Sequence, residues 1–65
     1  GATVRTADTL AMGAWVAAPS QYLSTRVPDT DGTIVGWGDT VWVVQHGDGS
    51  QAAYNPEELT VTFKS

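Results

Sequence analysis

Apolar residues along this chain occur in short runs, none longer than five, and the runs are separated by clusters of Gly, Pro, Asp, Asn and Ser. Runs this short and this often interrupted predict strands joined by turns, not long amphipathic helices. The first predicted strand covers residues 14–18, where Ala14-Trp15-Val16-Ala17-Ala18 stops at Pro19, a residue that cannot donate to a ladder. Residues 32–37, Gly-Thr-Ile-Val-Gly-Trp, and residues 40–46, Thr-Val-Trp-Val-Val-Gln-His, are rich in β-branched and aromatic side chains and flank Gly38-Asp39, so they predict a hairpin. Gly47-Asp48-Gly49-Ser50 supplies the next turn, and residues 51–54 continue as a strand. Asn55-Pro56-Glu57-Glu58 has a capping residue, a proline at the first helical position and early carboxylates, which predicts a single 3₁₀ turn. Leu59 to Phe63 alternates apolar residues with Thr and predicts a half-buried last strand.

Residues 1–11 show no sustained period and read as an N-terminal arm, free to move, with Thr3 to Thr6 as its one candidate strand; residues 12–65 form the domain. The connection from Pro19 to Asp31 is long for a compact domain, with Tyr22 and Leu23 as its anchors. An all-β domain follows, with five short strands, a long first loop and one 3₁₀ turn before the last strand. Its best architecture is a small SH3-like barrel, with an OB-like barrel second.

With Gly38-Asp39 as a two-residue loop, Trp37 faces Thr40, Val35 faces Trp42 and Ile34 faces Val43. One side of the hairpin then carries Ile34, Val41 and Val43, and the other carries Val35, Trp37, Trp42 and Val44. Both sides are apolar, and a single small barrel has only one interior. The surplus side must meet the long loop, another subunit or a partner protein.

Length and composition narrow the function. The chain has 65 residues, 42% of them hydrophobic, three tryptophans and no cysteine. It is therefore one domain whose core must come from apolar side chains without disulfides or thiolate metal sites. No apolar stretch approaches the roughly 20 residues that span a bilayer, so the chain reads as soluble, with no membrane partner and a cytoplasmic location. The net charge is −4, and the three basic residues, Arg5, Arg26 and Lys64, are scattered. Nucleic-acid affinity rests largely on neutralising phosphates, so a DNA or RNA partner is not expected.

Gly32-Thr33-Ile34-Val35-Gly36-Trp37, Trp42-Val43-Val44-Gln45-His46-Gly47-Asp48-Gly49 and Tyr54-Asn55-Pro56-Glu57-Glu58-Leu59 resemble the shared core of Tudor, KOW and related SH3-like barrels. Met12-Gly13, the 32–37 segment and the 54–59 segment are also similar to the plasmid-borne type II dihydrofolate reductases, SH3-like tetramers with a central pore. That second resemblance implies an oligomer with a site between subunits. The chain departs from it at Ala17-Ala18, where that family has a Lys, and at Gln51-Ala52-Ala53-Tyr54, where it has Gln-Ile-Tyr; Tyr54 is the clean match.

Chemistry-bearing residues are few. His46 sits near Asp48 at a turn, but no nucleophile pattern accompanies them and a lone histidine makes no metal site. Asp29-Thr30-Asp31-Gly32 resembles the start of a calcium loop but lacks its later oxygens, so it reads as a turn into the second strand. No catalytic residues, metal ligands or cofactors are assigned. The expectation is a non-enzymatic protein-interaction or assembly module, contacting a protein partner or a second copy through Trp37, Trp42, Val35, Val44 and Tyr54. The alternative is a small oligomeric enzyme with Tyr54, Gln51 and His46 in a site between subunits.

Overall fold

A computed structural model describes residues 1–12, 15–38 and 40–63. It contains β1 (Thr3–Thr6), a single helical turn α1 (Ser20–Leu23), β2 (Asp31–Trp37), β3 (Trp42–His46), β4 (Gln51–Tyr54), a 3₁₀ turn (Pro56–Glu58) and β5 (Leu59–Phe63). All neighbouring strands are antiparallel, in one sheet of order β4-β3-β2-β1-β5. The all-β class, five strands and a 3₁₀ turn before the last one agree with the sequence pattern. No helix among the described residues is long and apolar enough to cross a membrane.

The first strand is not where the apolar run placed it. Ala14 lies outside the described residues, and Trp15 to Ala18 form no strand. Their backbone bonds locally instead: Trp15 N–H donates to Met12 C=O at 2.8 Å and Ala18 N–H to Val16 C=O at 2.9 Å. The strand is Thr3–Thr6, inside the segment read as an arm, and it is held on both edges by β2 and β5. Val4 is fully buried there and Thr6 nearly so, which an exposed arm could not provide.

The β2–β3 hairpin also differs in register. Trp37 pairs with Trp42 and Gly36 with Val43, with Gly38 N–H donating to Val41 C=O at 3.0 Å, so the connection runs over residues 38–41. A bulge at Val35 then brings Ile34 opposite Val44. Ile34 therefore joins Trp37, Trp42 and Val44 on one side of the sheet. That side holds the main core: Val4, Val44, Ala52 and Tyr54, flanked by Leu10, Ile34 and Leu59. Val41 and Ala53 on the other side are covered by Val16, Ala18, Tyr22 and Leu23, so the long loop does close over one apolar side. In β5 a second bulge leaves Val61 opposite Val4 but Phe63 opposite Thr3. Only Leu59 is half-buried in that strand; the rest is exposed, and the simple two-residue alternation breaks at the bulge.

Gly32 sits where β2 crosses Val44, and a Cβ there would lie 2.4 Å from Val44 Cγ1 and 2.9 Å from Gln45 O. A methyl group at Gly36 would meet nothing within 4 Å.

One ion pair ties the loops to this sheet. Arg26 and Glu58 each have side chains only 6% exposed, and Arg26 Nη2 donates to Glu58 Oε1. Glu58 also accepts from Ala11 N–H at 2.6 Å and Asn55 N–H at 2.9 Å. Arg26 Nη1 donates to Ala11 C=O at 2.8 Å, and the guanidinium lies 5.3 Å from the centre of the Tyr54 ring. Three distant stretches of chain, around residues 11, 26 and 58, meet at this pair.

Arg26→Met should leave a buried carboxylate without its cation and cost about 3–5 kcal/mol, read as a large drop in the urea midpoint. Gly32→Ala should cost about 1–3 kcal/mol through overpacking, while Gly36→Ala should be neutral or slightly stabilising; equal effects at the two glycines would contradict the packing described.

Candidate binding cleft

The polar residues that the sequence singles out around the β3–β4 turn are linked in a chain that runs from exposed Asp48 to buried His46 and Tyr54. Asp48 accepts from the Ser50 hydroxyl at 2.7 Å and from the Ser50 amide at 3.0 Å, which holds its carboxyl below the usual range. Ser50 Oγ lies 2.9 Å from His46 Nδ1, and His46 Nε2 lies 2.7 Å from the Tyr54 hydroxyl. The carboxylate is the strongest acceptor present, so Ser50 gives its proton to Asp48 and accepts from His46 Nδ1–H. His46 Nε2 is then free to accept the Tyr54 proton. Tyr54 Oη completes the chain by accepting from Val27 N–H at 2.8 Å. His46 and Asp48 therefore make no direct pair; Ser50 connects them. Burial is the main cause pushing the Tyr54 phenol above its ordinary ionisation range, opposed by the Val27 hydrogen bond and by Arg26.

Asp29 and Asp31 are likewise engaged. Arg5 on β1 donates to Asp29 Oδ1 at 2.9 Å and to Asp31 Oδ1 at 3.0 Å, and these bonds hold the guanidinium above its ordinary range. Asp29 takes the left-handed conformation, φ 52°, at the turn into β2. The segment acts as a turn clamped by a cation. Among the described residues no three His, Asp or Glu side chains converge as metal ligands would.

The apolar candidates divide between surface and interior. Trp37 is 75% exposed, and its ring lies 5.8 Å from that of Trp42, tilted by 54°. Together with Val35, Pro56, Leu59 and Val61 they line an open apolar cleft of about 600 Å³. Val4 and Ile34 form its floor, so the cleft is continuous with the main core. Val44 and Tyr54, expected to share this contact surface, are fully buried. Their side chains support the cleft from within and offer nothing to a partner, because Val44 lies under Gly32 and Tyr54 is hydrogen-bonded to Val27 and His46.

Pro56, Leu59 and Val61 escaped the sequence reading of the site. The period-two pattern of β5 was a signal for the last two, and Pro56 is carried into the wall by the 3₁₀ turn that the Arg26–Glu58 pair holds. Glu58 had a weaker signal, the three-residue spacing from Asn55 that marks a helix-start carboxylate. Arg26 had none, since 32 positions separate it from its partner.

Comparison of the chain with protein-family models, with curated proteins and with solved structures finds no match.

Because the folded-state phenol titrates above its unfolded value, the stability it contributes is complete below about pH 10 and is lost as pH rises beyond it. Tyr54→Phe should cost about 1–3 kcal/mol at neutral pH by stranding Val27 N–H and His46 Nε2. It should also flatten the loss of stability above pH 10 in denaturant titrations; a mutant curve parallel to wild type in that range would refute the burial of this phenol.

Proposed function

We propose that this chain is a non-enzymatic protein-interaction or assembly module of the SH3-like barrel type. The observation that carries the reading is the exposed Trp37 indole at the mouth of an apolar cleft. A large aromatic ring left in water costs free energy that burial against a partner recovers, and aromatic anchors of this kind carry most of the binding energy at interface centres. The meandering strand order, the long connection before β2 and the 3₁₀ turn before β5 support the SH3-like reading of the fold.

The alternative, an oligomeric enzyme with a site between subunits, draws on Tyr54, His46 and Gln51. Tyr54 and His46 are buried and hydrogen-bonded to one another, and Gln51 faces solvent beside Gln45. Their placement lends that alternative no support.

An NMR titration of the ¹⁵N-labelled chain with N-acetyltryptophanamide tests the interaction reading. Shifts are expected at the Trp37 and Trp42 indole N–H groups and the Leu59 and Val61 amides. Trp37→Ser should abolish them while changing stability by no more than about 0.5 kcal/mol, as at an exposed site. Absence of shifts, or shifts centred on His46 and Gln51, would overturn it.

A further inference from the structure

The Tyr54 hydroxyl has more neighbours than its one proton can serve. It accepts from Val27 N–H at 2.8 Å, lies 2.7 Å from His46 Nε2 and lies 3.2 Å from Val27 C=O. A phenol has one proton to give and two lone pairs to accept with. With His46 neutral and its Nδ1–H directed at Ser50 Oγ, that proton goes to His46 Nε2. Val27 C=O then keeps Thr6 Oγ1 as its donor, at 2.8 Å. A carbonyl oxygen takes two donors, so Val27 holds an acceptor position in reserve. His46 is 7% exposed and lines an open recess with Asp31, Thr33, Gln45 and Gly47, so its burial does not seal it from solvent.

We propose that His46 and Tyr54 form a proton-driven switch acting on the long loop at Val27. When His46 takes up a proton from solvent, Nε2 becomes a donor. The phenol keeps its own proton, turns it about the Cζ–Oη bond from Nε2 to Val27 C=O, and accepts from Nε2–H in its place. Donors and acceptors stay matched in both states. In the neutral state Tyr54 holds Val27 through its N–H alone; in the protonated state it holds both the N–H and the C=O, which fastens the loop to β4 more firmly in acid. The charged groups around the ring act in both directions. Asp48, reaching His46 through Ser50 Oγ, favours the imidazolium. Asp31, next to the Gly32 that pairs with His46, is engaged by Arg5. Beyond Tyr54, Arg26 over the phenol ring opposes the added charge, and its partner Glu58 offsets that opposition.

The test is an NMR titration of the ¹³C,¹⁵N-labelled chain between about pH 8 and 5, the span in which imidazoles take up a proton. It reads the His46 ring nitrogens and the Val27 carbonyl carbon. At the upper end Nδ1 should carry the ring proton and Nε2 none. On acidification Nε2 should gain a proton, and the Val27 carbonyl carbon should shift with the same midpoint while far-UV circular dichroism stays constant. Tyr54→Phe should abolish the Val27 response. Asp48→Asn, a change at an exposed turn that leaves the buried groups in place, should move both midpoints together to lower pH, and it keeps the test decisive where the phenylalanine variant does not fold. A proton on Nε2 at the upper end would overturn the proposal, since Tyr54 would then already bond Val27 C=O. So would a ring that stays neutral throughout, or protonation accompanied by loss of structure. A Val27 carbonyl that ignores His46, a response that survives Tyr54→Phe, or midpoints that separate in Asp48→Asn would overturn it as well.

Discussion

The buried pair of Arg26 and Glu58 is the constraint on which the arrangement of loops depends. Two charges removed from water carry a large desolvation penalty, recovered only when geometry and further hydrogen bonds are good. Here the carboxylate accepts from two backbone amides besides the guanidinium, and the guanidinium also reaches a carbonyl and the face of Tyr54. Arg26 Nε is buried without a hydrogen-bond partner among the described residues, so even this pair is not fully satisfied. Its contribution lies less in net stability than in specificity. The same loop position that brings Arg26 to Glu58 has Thr25 donating to Gln51 C=O and Val27 bonded to Tyr54 and Thr6.

That clamp positions the surface. Holding Glu58 fixes the 3₁₀ turn, which sets Pro56 on one wall of the cleft and delivers Leu59 into β5. The long loop, pinned by residues 25–30, covers Val41 and Ala53 through Tyr22 and Leu23, and leaves the Trp37 side open. The polar groups of His46, Ser50, Tyr54 and Asp48 satisfy one another. What remains outward is an apolar recess beside Trp37, on which the proposed interaction rests.

Strands with dense β-branched and aromatic residues were legible in the sequence, as was the 3₁₀ turn, because those signals are local. The hairpin from Asp31 to His46 was read in type but not in register, since the bulge at Val35 and the added turn residues leave no pattern mark. The 14–18 run misled because its described residues, Trp15 to Ala18, are apolar without being paired; Val16 is buried by the loop, not by a ladder. Conversely, Thr3–Thr6 was legible only as a candidate strand within an arm, because it is short and Val4 is its one apolar residue; its central place between β2 and β5 is set by tertiary pairing. For the cleft, Trp37, Trp42 and Val35 were named from composition and parity. Val44 and Tyr54 belong to the same side of the sheet but lie deeper, and depth along a face is set by what packs over it, which a period-two pattern does not carry. The pairing of Arg26 with Glu58 is a tertiary contact and had no local trace.

Hydroxyl-radical footprinting with mass-spectrometric readout, run from low to high protein concentration, bears most directly on the claim that the fold is complete in one chain and leaves Trp37 as its free anchor. Rapid oxidation of Trp37 at every concentration, with Tyr54 protected throughout, is the expected result. Protection of Trp37 in the dilute chain would contradict it, because the indole would then be covered from within and the cleft would have nothing left to offer a partner.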